Sequence, residues 1–117
     1  MPKQDLYMGL GSLLYALAKT DGRLQAEESK FINEVLCQDL NGEMALYAFG
    51  LREAYDSSPE IAYGFAIRRF RENKKDFDGE TKKKFMAILQ QVALAYDGIS
   101  RKEKDLLKRC RRDIARL

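Results

Sequence analysis

At 117 residues, 45% hydrophobic and 33% charged, the chain can bury one real core without a metal or a disulfide and is not a disordered segment. Two cysteines and no histidine exclude a disulfide framework and a zinc finger. The net charge of +3 hides an asymmetry, with 5 basic and 10 acidic side chains in residues 1–64 against 16 and 8 in residues 65–117.

Few β-branched residues and abundant Ala, Leu, Lys, Arg and Glu predict helices throughout. The first spans about Asp5 to Lys19, with Leu6, Leu10, Leu13, Leu14, Leu17 and Ala18 on one stripe. Gly9 and Gly11 inside it each cost about 1 kcal/mol relative to Ala, so another helix is expected to approach closely there. A second helix begins near Ala26 and is expected to bury Phe31, Ile32, Val35, Leu36 and Leu40, with Leu24 at its lead-in. Asn41 can cap a third, carrying Met44, Tyr47, Ala48, Leu51 and Tyr55 inwards. In "SSPE", Ser57 to Glu60, Ser58 is a good N-cap, Pro59 suits the first helical position and Glu60 the positive end of the dipole.

The fourth helix then presents Ile61, Phe65, Ile67 and Phe70. "DFDGE", Asp76 to Glu80, reads as a solvent-exposed loop with Asp78 or Thr81 as cap. A fifth helix, about Glu80 to Tyr96, turns Phe85, Ile88, Leu89, Val92 and Ala95 inwards. The sixth starts at Ser100 and buries Leu106, Leu107, Cys110, Ile114 and Leu117. The fold class is therefore all-α, a single domain over 1–117 with about six helices.

Two stretches resemble each other: "AKTDGRLQAEE" from Ala18 and "ALAYDGISRKE" from Ala93. A shift of 75 residues pairs Leu24 with Ile99 and Glu28 with Glu103, and sets Phe31, Ile32 and Val35 on Leu106, Leu107 and Cys110. The chain thus reads as a repeated helix-turn-helix, halves about 6–40 and 82–117, with approximate two-fold symmetry and two central helices between. Gly22 and Gly98 suit the left-handed conformation that closes a helix. "SRKE" is a capping box, Ser100 capping and Glu103 reaching back. Gln25 is a poor N-cap, so Glu28 has half a box.

Asp21 and Asp97 are harder to place, because each lies at a helix C-terminus, where the dipole disfavours an anion by about 0.3–1 kcal/mol. Either each accepts hydrogen bonds from the amides opening the next helix, or Asp21, Glu28, Asp97 and Glu103 hold a divalent cation through oxygen ligands. It is not an EF-hand. With Asp21 at the fifth loop position, the first and third fall on Leu17 and Lys19, and in the second copy on Ala93 and Ala95.

"LAKTDGRLQAEESKFINEVL" and "MAILQQVALAYDGISRKEKDLL" resemble the two halves of a TerB-like domain, the helical family of bacterial tellurite-resistance proteins. The middle, Phe49 to Glu72, runs "FGLREAYD" and then "SSPEIAYGFAIRRFRE". It is similar to the branch that precedes the J domain in DjlA-type co-chaperones. The resemblance implies a compact helical fold and a metal-chelating or stress-response role at or near the inner membrane face. Asp21, Glu28, Asp97 and Glu103 fall on the family's acidic positions. A J domain needs His-Pro-Asp, and this chain has no histidine.

Catalysis is the least supported function, since the usual general base is missing and neither Cys37 nor Cys110 has an activating partner. A second class is binding to an anionic surface, membrane lipid or nucleic acid, through the basic C-terminal half, with Arg68, Arg69, Arg71, Lys108, Arg109, Arg111 and Arg112 as candidates. No recognition helix or aromatic platform points to nucleic acid. The reading favoured by the residues is an interaction or regulatory module of a stress-response or membrane-associated complex. The longest uncharged run, Leu6 to Ala18, is too short to span a bilayer, and no signal peptide is recognisable, so a cytoplasmic location is expected, if need be at the membrane periphery.

Overall fold

The fold is built around its first helix. In the computed structural model, which describes residues 2–22, 24–95 and 99–117, α1 (Pro2–Lys19) buries every residue from Leu6 to Ala18 except Met8. A helix enclosed on all sides needs neighbours on all sides, and α3 (Gly42–Ala54) and α4 (Pro59–Glu72) supply the most extensive contacts. The two glycines make this approach possible. A Cβ on Gly11 would stand 1.9 Å from the Ala45 carbonyl oxygen of α3, and one on Gly9 2.6 Å from the Phe70 ring of α4. Next to Gly11, fully buried Ser12 donates to the Ala62 carbonyl at 2.8 Å.

The remaining helices are α2 (Ala26–Leu36), α5 (Gly79–Ala95) and α6 (Arg101–Ala115). The described residues thus form an all-α bundle of six helices, without strands, with a radius of gyration of 12.6 Å. No helix among them is long and apolar enough to cross a membrane. The starts follow local rules. Ser58 Oγ accepts the Ile61 N–H at 3.2 Å with Pro59 behind it, and Asp78 Oδ1 accepts the Thr81 N–H at 2.8 Å to open α5.

An aromatic cluster closes one end of the core. Phe77 lies in the α4–α5 loop yet is 2% exposed, with ring centroids 4.7 Å from Phe70 and 5.5 Å from Phe85. The flanking Asp76 and Asp78 face solvent. The loop is therefore an anchored segment with exposed shoulders, which corrects its reading as wholly exposed.

Five further residues expected inside lie outside. Leu40 is 99% exposed because α2 stops at Leu36, and a tight turn, in which Gly42 abuts the Leu36 carbonyl, carries Leu40 out of helical phase. Tyr47 and Tyr55 are exposed because α3 meets α1 along the edge formed by Ala45, Ala48 and Phe49. Ile61 occupies the outward side of the first turn of α4, and Ala95 the outward side of the last turn of α5. The two stretches that resemble each other in sequence differ in the helices that enter them, since α1 is enclosed and α5 buries only Phe85, Leu89, Val92 and Ala93. The two-fold relation stays an expectation of the sequence.

Candidate functional site

The first Asp-Gly turn closes α1 as its sequence requires. The Gly22 N–H donates to the Lys19 carbonyl at 2.8 Å, and Gly22 takes φ +99°, a conformation that disfavours any side chain. Asp21 is thereby left exposed at the corner, where it accepts a hydrogen bond from the Ser100 hydroxyl, 79 residues away, at 2.9 Å. The same hydroxyl accepts the Glu103 N–H at 3.1 Å, so Ser100 caps α6 and holds the other turn at once. This bond to Ser100 is a partner for Asp21 that neither expected role named.

Glu103 completes the capping box by accepting the Ser100 N–H at 3.0 Å, and it is buried. Glu28 is half-buried beside it. Its Oε1 accepts the Gln25 N–H at 3.3 Å, while the Gln25 side chain makes no capping bond. Burial raises the Glu28 carboxyl above the usual glutamate range, and the nearby charges of Glu103 and Asp21 push the same way against the Gln25 amide. Three of the four predicted acidic residues therefore meet at one pole of the bundle, and Asp97, with Gly98, lies outside the described residues. Among the described residues no three acidic or cysteine side chains are arranged to hold one metal ion.

The seven basic candidates divide into three with acidic neighbours and four without an ion pair among the described residues. Arg109 pairs with Glu60 at 2.7 Å and lies 4.0 Å over the Tyr63 ring, and Arg112 approaches Asp113 at 3.3 Å. Arg69 packs over Phe65 and reaches Asp5 at 3.8 Å. Arg68, Arg71, Lys108 and Arg111 remain exposed. Two of these pairs, Arg109–Glu60 and Arg69–Asp5, join an acid of the first half to a base of the second, so part of the charge asymmetry is used inside the fold.

Two polar clusters were not foreseen. In a cleft of about 440 Å³, Asp39 Oδ2 accepts from the Tyr7 hydroxyl at 3.0 Å and pairs with Lys84 at 2.7 Å, while Oδ1 accepts the Asn41 N–H at 3.1 Å. Burial alone would raise the Asp39 carboxyl, but Lys84, the Asn41 amide and Tyr7 outweigh it and hold it below the usual range. Burial raises the Tyr7 hydroxyl, and Asp39 raises Lys84. All three move away from neutrality, the opposite of what a general acid or base needs at pH 7. In the second cluster the Tyr63 hydroxyl donates to Asp113 at 2.5 Å, and burial of neighbouring Cys110 pushes its thiol up to about 12. Asp39 could have been found only by noticing that "CQDLNGE" places an acid where the chain must fold back onto α5.

Comparison of the chain with protein-family models, with curated proteins and with solved structures finds no match.

Proposed function

We propose that the chain is a non-catalytic interaction or regulatory module of the TerB-like kind, serving a bacterial stress response, whose paired turns form an acidic pole sensitive to divalent cations. The observation that carries this reading is the hydrogen bond from Ser100 to Asp21. It converts two separate corners into one charged feature, with Glu28 and Glu103 behind it. Crowding of like charges beside a raised carboxyl is a cost that a cation would relieve. A cation there would take most of its oxygens from water, since no three of the described carboxylates converge on a point, and its affinity would be low. The stress-response part of the reading rests on the resemblance of both turn segments to TerB-like domains.

The test is thermal unfolding with Ca²⁺, Mg²⁺, Mn²⁺ or Zn²⁺ against a chelator. Binding to the folded state raises Tm by mass action, and Asp21→Asn combined with Asp97→Asn should abolish the rise. A Tm indifferent to both metal and chelator would overturn the cation part. The anionic-surface alternative is favoured by the exposure of Arg68, Arg71, Lys108 and Arg111. Co-flotation with anionic vesicles that salt reverses would support it.

A further inference from the structure

On the basic side of the molecule a groove of about 490 Å³ runs between α5 and α6. Its floor is apolar, made by Met86 and Ala87 of α5 and by Ile114 and Ala115 of α6. Its rim carries Lys82 and Lys83 on one side and Arg111 on the other, and no lining residue is acidic. Beyond the groove the cations continue along α6 and the apolar surface along α5. Lys104 and Lys108 precede Arg111 at helical spacing on one face of α6, and Leu94, 58% exposed, follows Gln90 by four residues on α5.

We propose that this groove docks an acidic amphipathic helix from a partner protein. The inference rests on the reading of the chain as an interaction module, and not on the acidic pole. The shape suits a rod: Gly79 to Gln90 covers about 17 Å at roughly 1.5 Å per residue, or three turns of a helix lying alongside. Chemically, an apolar seam lies between Lys82 and Lys83 on one side and the cations of α6 on the other, with Lys82 also donating to the Leu117 carbonyl. It matches a helix with an apolar stripe flanked by carboxylates, whose side chains would enter the floor at i, i+4 and i+7. A second copy of this chain fits poorly. Its acidic helix α2 turns Ile32 and Leu36 into its own core and has no free apolar stripe to offer.

The test uses the full chain and a fluorescein-labelled synthetic peptide with leucines on one helical face and glutamates on its flanks. The control peptide has the same composition with the leucines scattered. In a fluorescence-polarisation titration the amphipathic peptide should bind at least about tenfold more tightly than the control, and Lys83→Glu with Arg111→Glu should weaken it by a similar factor. Ala87→Asp, at an exposed floor position, should weaken it too, with the circular dichroism of the chain unchanged. No binding, equal binding of both peptides, or indifference to these variants would overturn the proposal. Two further results would do the same: phosphatidylcholine–phosphatidylglycerol vesicles bound through these residues while the peptide is ignored, or a dimer in sedimentation that Ala87→Asp dissolves. The Tm response to cations reads the acidic pole alone, so either inference can fail without the other.

Discussion

The hydroxyl of Ser100 ties the start of α6 to the carboxylate of Asp21 in the first Asp-Gly turn, across 79 residues of sequence. If that contact couples the turns, their substitutions will not be additive. Ser100→Ala should cost about 0.5–2 kcal/mol, chiefly through loss of the α6 cap. Asp21→Asn should cost less, because Asp21 is exposed. The double variant should fall short of the sum by roughly 0.5 kcal/mol or more in denaturant titrations. Strict additivity would mean that the bond contributes nothing in solution.

Glu28 should oppose folding at neutral pH. Its folded-state pKa is raised, so as pH climbs from the ordinary glutamate range through that raised value the folded protein binds more protons than the unfolded chain and loses stability relative to it. Glu28→Gln keeps an oxygen for the Gln25 amide and removes the charge. It should therefore raise Tm at pH 7, and the gain should vanish below about pH 4, where both states are protonated. A loss of stability at pH 7 would show that the carboxylate is held by something favourable.

The glycines should divide by site. Gly11→Ala drives a methyl into the Ala45 carbonyl, backbone against backbone, and should destabilise by about 1–3 kcal/mol or more. Gly50 and Gly64 have nothing within 4 Å of an added Cβ, so alanine at either should stabilise by roughly 0.5–1 kcal/mol. Denaturant midpoints of the three variants settle the matter.

The two thiols should react very differently. Cys37 is exposed, whereas Cys110 is 1% exposed, with burial holding its thiol up to about 12. A thiol-specific chromogenic reagent should titrate one group in the native protein and both in denaturant. Rapid native reaction of both would require α6 to open.

Much of this fold could be read from spacing alone, because helix ends are local. Ser58, Pro59, Asp78, Ser100 and Glu103 do what their residue types do at helix starts, and the glycines of α1 foretold contact. Burial on the outer helices was less legible. Tyr47, Tyr55 and Ile61 keep helical phase with core residues, but whether a neighbour covers them is decided by tertiary packing. Phe77 was missed for the converse reason, an aromatic plug inside a charged loop. At the acidic pole the participants could be read from the repeat and their bonding could not, since the Ser100–Asp21 contact exists only once the chain has closed.

The enclosure of α1 has a consequence for biosynthesis. The rod from Leu6 to Ala18 leaves the ribosome before α3 and α4, which cover it in the folded chain, and the carbonyl that Ser12 needs lies 50 residues downstream. Until α4 has emerged, a nascent chain presents this apolar segment to water and to holding factors. A fragment that stops at Tyr55 should accordingly be cut rapidly by protease under conditions in which the whole chain resists, and a resistant fragment would show that the first three helices shelter it unaided.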